Sequence, residues 1–462
     1  MKSNLGKIIA LLITIAVFGC SKTDEPTPTI SLFEDAEEAL SGGITTVKDA
    51  TSAAFGLPAP NLSAESMAKH LLGDAGVGAT FVPAPSLINP GLGPLFNNNS
   101  CTSCHQRDGR GRPPFEGEEL NTMLFRISIA GTDEHGGPKA VPLFGLQAQH
   151  KAIFGKLPEM EFDITYTEQT ENFVDGEKVS LRKPNNKIIN PYLPIPAGML
   201  LSARVTTPFI GLGLLEALED KTITDLADEN DRDGDGISGK ANYVWDIKAQ
   251  KNTLGKYGWK ASQPTLLQQS AAAFEGDMGI TSTLFPDENS VGQIQDVLPH
   301  APEISDEKLD QIRHYIATLG VPVRRNVQDA QVKQGRVLFV QANCNSCHVM
   351  KLKTGNLAGL PEVSNQYIRP FTDLLLHDMG EGLTDNRPDF KATATEWRTA
   401  PLWGIGLTKI VNGHTFFLHD GRARNLTEAI LWHGGEGQKS KDMFKKMAKT
   451  EREAMVKFLE SL

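Results

Sequence analysis

One short pattern, used twice, limits this chain more than any other feature. Cys101-Thr102-Ser103-Cys104-His105 and Cys344-Asn345-Ser346-Cys347-His348 are both Cys-x-x-Cys-His. Two thiols at this spacing can each form a thioether with one vinyl group of the same porphyrin, and the pattern is the attachment signature of c-type haem. The adjacent histidine then lies under the iron as its proximal ligand. The predicted cofactors are two covalently attached haem c groups, held by Cys101, Cys104 and His105 and by Cys344, Cys347 and His348. A zinc site needs four convergent ligands, which the two pairs together could supply, and a redox dithiol needs only the thiols. Neither explains a histidine after each pair.

The fifth cysteine has a different setting. Lys2 and Lys7 are followed by a nearly all-apolar run, Ile8 to Phe18, then Gly19 and Cys20. That run is shorter than the ~20 residues a membrane-spanning helix needs, so residues 1–19 read as a signal peptide. Cys20 resembles the lipidated cysteine of a bacterial lipoprotein. Residues 20–30 are polar, contain two prolines and read as a tether. Ser21 and the Asp24-Glu25 pair resemble outer-membrane and surface-export signals. The expected location is the outer membrane of a Gram-negative bacterium, on its periplasmic or surface face, with the lipid anchor as the sole membrane contact. The net charge is −10. That argues against a nucleic-acid partner, which demands clustered Lys and Arg.

The 462 residues leave room for at least two domains at ~100–200 residues each. Leu95-Phe96 precedes the first motif by the same interval as Leu338-Phe339 precedes the second. Helical patterns close both halves. Ser305 is a helix cap, followed by a stripe of Leu309, Ile312, Ile316 and Leu319; Gly320 and Pro322 stop it. Thr450 and Glu453 make a capping-box pattern, followed by Met455, Leu459 and Leu462. His314 reads as solvated on the polar side of its helix. The expected fold is mainly α: two cytochrome c-like domains in tandem, over 31–325 and 326–462. The first has a loop-rich insertion near 110–255 containing short strands, such as Phe162–Tyr166.

The segments Phe96–Gly111, Gly258–Ile280 and Phe371–Gly435 closely resemble the di-haem oxidoreductase family. Its members are described as di-haem cytochrome c peroxidases, sometimes as thiol oxidoreductases, and are related to bacterial di-haem cytochrome c peroxidases. With all four motif cysteines claimed by haem, the thiol label finds no support. In those peroxidases an aromatic-His-Asp-Gly stretch and a short helix lead to a distal methionine. His419-Asp420-Gly421, Leu426 and Ala429 match, and the distal position falls on His433. The resemblance therefore implies His348/His433 ligation of the second haem iron, with His377 and Met379 as runners-up. The corresponding position after the first haem falls near 290–296, which holds no Met or His; His300 lies just beyond, and Met278 is an alternative ligand. The first iron is expected to be open, with Glu275 or Asp277 as the general acid–base group.

Asp231, Asp233 and Asp235 with Gly236 open like an EF-hand calcium loop, but the twelfth position is Asn242 instead of Glu. Trp259 and Trp432 are candidate bridges between the haems. The favoured activity is reduction of hydrogen peroxide at the first haem, with electrons relayed by the second from an electron-donor protein or quinol pathway. The alternatives are electron transfer without a substrate, oxidation of an organic or protein substrate, and a redox accessory role in iron uptake.

Overall fold

Ser63 accepts the Ser66 N–H and starts the helix Ala64–Val77. Ser305 does the same for Lys308 and starts Asp306–Thr318. These two helices cross at glycine. A Cβ on Gly73 would lie 2.1 Å from the Gln311 carbonyl oxygen, so no larger residue permits that approach. In the second half, Asp329 caps Ala330–Gln341, which crosses Lys449–Ser461. Gly335 there would place a Cβ 2.0 Å from the Ala454 carbonyl oxygen. The closing stripes are buried as expected, Leu309, Ile312, Ile316 and Leu319 in one half and Met455, Leu459 and Leu462 in the other. The last helix is capped differently from expectation: the Glu451 carboxylate accepts the Ala448 N–H.

The computed structural model describes residue 35, residues 37–296 and residues 302–462. The expected signal peptide and tether, Cys20 and His300 lie outside the described residues. No described helix is long and apolar enough to cross a membrane.

The expectation of a mainly α chain of tandem cytochrome c-like domains is overturned. Helix accounts for 29% and strand for 20%, the latter in many small sheets. Much of the strand arises in the stretch expected to be loops. Met123–Thr132 pairs with Leu200–Val205 on one edge and with Pro138–Lys139 and Gln147–Ala148 on the other. Glu161–Asn172 and Lys178–Ile189 form an antiparallel ribbon in unbroken register. Apolar residues alternate with polar ones only over Phe162–Tyr166 and Val179–Leu181, Leu181 is the ribbon's one buried residue, and the largely polar remainder is easily read as loop. The sequence repeat is also not a structural one: Leu95-Phe96 is extended and pairs with Lys151-Ala152, whereas Leu338-Phe339 is helical. Pro90 and Pro94 precede the first pair and disfavour a helix there.

The packing interleaves the halves. Phe125, Phe144, Met160 and Leu181 share a core with Val332, Phe339 and Phe458. Ile316 and Leu319 share another with Leu360, Ile368 and Trp403. Each core thus draws on both sides of residue 325. His314 is buried at 4% exposure, not solvated; its Nε2 lies 3.1 Å from Ser66 Oγ and 3.0 Å from the Ser66 carbonyl. The Ala64–Val77 helix covers the face that the apolar stripe alone would leave to water.

Candidate functional site

Each Cys-x-x-Cys-His turn opens onto its own chamber. At the first, Ser100 accepts the Ser103 N–H and nucleates a short helical turn over Cys101–Cys104. The His105 ring stacks on Phe209 with centroids 4.0 Å apart. Its Nδ1 lies 2.8 Å from the Thr207 carbonyl oxygen. A carbonyl only accepts, so Nδ1 carries the proton and Nε2 keeps its lone pair. Burial pushes this imidazole down to about 4, which keeps it neutral.

The second turn repeats that design on different supports. Asn343 takes a left-handed backbone conformation and ends the preceding helix. His348 Nδ1 donates to the Phe371 carbonyl at 2.9 Å, and burial again holds the ring at about 4. Across the chamber, His433 follows the helix Leu426–Trp432, itself capped by Asn425. His433 Nδ1 donates to the Ala429 carbonyl at 2.8 Å, and burial lowers its pKa. Three imidazoles thus share one arrangement: Nδ1–H fixed on a backbone carbonyl, Nε2 free. That is how protein histidines are prepared as metal ligands. The runner-up His377 differs. Its Nε2 lies 2.8 Å from Asp373 and its Nδ1 2.7 Å from Glu436. Burial alone would lower its pKa, but these hydrogen bonds and one to Cys347 hold it well above the ordinary range. An imidazolium has no lone pair for iron. Met379 also lines the second chamber.

The four thiols do not converge on one another. Burial pushes Cys101, Cys104 and Cys344 up to about 12 and raises Cys347 as well. Thiol exchange and zinc binding both need thiolate. A pair of neutral thiols beside a neutral imidazole, facing an apolar chamber, fits the donor set of a porphyrin.

The chambers differ in size and lining. The first has a volume of about 550 Å³, the second about 200 Å³. Residues 290–296, where a first-haem counterpart of His433 was expected, do not line the first chamber. Asp277 lines it and Glu275 does not. Met278 also faces it, as do three residues that sequence reasoning missed: Arg126, His135 and Trp245. The His135 and Trp245 rings stack at 3.8 Å, only 5° from parallel. They lie more than 100 positions apart, so no local pattern joins them.

Trp259 and Arg398 line both chambers. The Arg398 N–H donates to the Trp259 carbonyl, and Trp259 Nε1 to Val205 at 2.9 Å. Together they form a wall between the chambers. Trp432 lines neither, and its indole nitrogen has no hydrogen-bond partner. In the lining of the second chamber, Trp397 is stacked on His419 at 3.7 Å. The ammonium of fully buried Lys260 lies 4.4 Å from the Trp397 ring centre.

The carboxylates of Asp231, Asp233 and Asp235 lie within 4.8 Å of one another. Asn242 takes no part: its amide donates to Lys260 and Asp389 and its oxygen accepts the Lys391 N–H.

Two separate chambers, each with two cysteines and a prepared histidine, define a protein built to hold two prosthetic groups close together. A family model described as "Di-haem oxidoreductase, putative peroxidase" matches residues 35–462, and the chain belongs to that family. Two haems and an oxidoreductase role follow from that membership. No curated protein and no solved structure matches the chain.

Proposed function

We propose that this chain is a peroxidase whose haems are attached through Cys101 and Cys104 and through Cys344 and Cys347. His105 and His348 are the proximal ligands, and His433 closes the second iron. Two haems held there supply the redox chemistry, hydrogen peroxide being reduced at the first with electrons relayed by the second. The observation that carries this reading is the inequality of the chambers. The smaller presents a second prepared imidazole, His433, toward His348. The larger has open volume, a carboxyl group in Asp277 and a cation in Arg126. Asp277 is placed to hold or give a proton there. The Trp259–Arg398 wall excludes water between the chambers and offers an aromatic ring as the electron bridge. An electron-donor protein or quinol pathway feeds the second chamber. Export and a lipid anchor at Cys20 belong to the same reading, as does a weak calcium site at Asp231, Asp233 and Asp235.

One observation favours a second reading, electron transfer without turnover: Met278, 3% exposed, lines the first chamber and offers a thioether that could close it.

Optical and EPR spectra of the oxidised protein, followed by peroxide under reducing conditions, separate the two. The peroxidase reading expects one high-spin and one low-spin centre and peroxide consumption. A wholly low-spin spectrum without turnover would sink it. His433→Ala should turn only the second centre high-spin; an unchanged spectrum refutes the ligand assignment.

A further inference from the structure

Peroxide reduction in the first chamber consumes protons. In H₂O₂ + 2 e⁻ + 2 H⁺ → 2 H₂O one O–O bond breaks and two O–H bonds form. The electrons come from the donor of the proposed function, and the protons need a group that holds them beside the reacting oxygens. Behind Asp277 runs a buried polar network with an unexplained acid at its far end. Glu159 is fully buried. One of its carboxyl oxygens accepts the Gln149 N–H at 2.7 Å and the other accepts Gln293 Nε2 at 2.8 Å. The Gln149 side-chain amide donates to the Gly276 carbonyl at 2.8 Å. The Gln147 amide nitrogen reaches that same carbonyl at 2.7 Å, Asp277 Oδ1 at 2.7 Å and Asn97 Oδ1 at 2.5 Å.

The amide oxygens of Gln147 and Gln149 are buried with no hydrogen-bond partner. Such acceptors carry a large desolvation cost unless an O–H reaches them. Two in succession, between a buried acid and the chamber wall, mark places for water. At the outer end, the half-buried Tyr192 hydroxyl lies 2.9 Å from the Leu143 carbonyl and 3.1 Å from Gln293 Oε1, two acceptors for its one proton. This links the network to the surface side.

We propose that Glu159 takes up protons from the Tyr192–Gln293 side and supplies them to the first chamber. The Gln149 and Gln147 amides order the route to Asp277. The inference rests on the peroxidase reading of that chamber. Glu159 is a proton-holding and positioning residue, since it does not itself line the chamber. Among the described residues no Lys, Arg or His pairs with it; burial pushes its carboxyl up to about 8, so it carries a proton at neutral pH. Its acidic neighbour is the Tyr192 phenol. The loop bearing Gln293 also carries Glu288 and Asp296. Farther along, Arg126 acts on Glu275 and Asp277, and the Cys101 and Cys104 thiols face Asp277.

The test compares Glu159→Gln and Glu159→Asp with the unmodified holoprotein. In wild type, the infrared carboxylic-acid band of a buried acid should disappear as pH rises through about 8; it should be absent from the Gln variant. The kcat for peroxide should fall roughly tenfold to a hundredfold in the Gln variant. KM for peroxide should be unchanged, the alkaline limb of the wild-type pH profile should vanish, and Asp should restore part of the rate. Equal kcat and the same pH limb in wild type and Glu159→Gln would overturn this inference and leave the peroxidase reading intact. A wild type that shows the acid band but reduces no peroxide would overturn both.

Discussion

Around the first chamber, burial decides the state of the carboxyl groups: Glu159 is pushed up to about 8, Glu275 to about 7, and Asp277 is raised too. Around the second, burial pushes the same way and loses. Arg422 and His419 hold Asp420 at about 2. His377 and Ser238 hold Glu436 at about 2. Near the first chamber, whose wall Arg204 and Asp389 line, Lys260 and Arg204 likewise hold Asp385 below its usual value. Two chambers entered by the same five-residue pattern therefore differ in their acids: Glu159, Glu275 and Asp277 beside the first are raised, while Asp420 and Glu436 beside the second are lowered. Beside the first, burial shifts the acids toward the protonated form. Beside the second, carboxylates sit in ion pairs near the two imidazoles of His348 and His433. A shared attachment pattern says how a cofactor is held, and the surrounding charges say what it is for.

The largest test of that contrast removes one chamber at a time. Replacing Cys101 and Cys104 by Ala should halve the covalent haem content by the pyridine haemochrome assay and abolish peroxide turnover. The low-spin signal of the other centre should remain. Replacing Cys344 and Cys347 should halve the haem but leave the high-spin signal. Identical phenotypes from the two double variants would show that the chambers are not specialised.

The next effect is on stability. Asp420 has a folded pKa below its unfolded one, so it stabilises the fold above the ordinary carboxylate range. As pH falls from about 4 to about 2, about 2 kcal/mol should be lost. Glu159 has the opposite sign. Its folded pKa is raised, so stability is fully present below about 4.5 and declines as pH rises toward 8, by on the order of 3–5 kcal/mol. Urea unfolding across the pH range should show Asp420→Asn losing the acid limb and Glu159→Gln losing the alkaline one. If either variant keeps its limb, the electrostatic contrast is wrong on that side.

The smallest effect concerns the aspartate loop. Calcium should bind weakly, in the roughly 10⁻⁴–10⁻³ M range of extracellular modules, because the bidentate twelfth ligand is missing. Titration calorimetry should detect it in wild type and not in Asp231→Asn. Heat of binding that persists in the variant would place the ion elsewhere.

What was legible in the sequence follows from how local each constraint is. The two Cys-x-x-Cys-His turns were readable because thioether chemistry fixes their spacing within five residues. His433 was visible only through its family-like context, since its partner His348 lies far off in the chain. His314 was misread because its apolar stripe announces one buried face, while the second is covered by a helix some 240 positions away. The ribbon Glu161–Asn172 and Lys178–Ile189 showed only its most apolar fragment, Phe162–Tyr166, because its other side faces water. Glu159 gave no signal at all. A lone glutamate before an apolar residue looks like any surface acid until Gln149 and Gln293 close over it.

The interleaved cores have a consequence for descent and for engineering. A module that carries its own core can be duplicated, traded or cut free. Here Phe125 and Leu181 complete the packing around Phe339 and Phe458, while Ile368 and Trp403 complete the packing around Ile316. A break at residue 325 would yield two fragments, each holding only part of both cores. The two halves share their packing, so a substitution at one of these core residues acts on both.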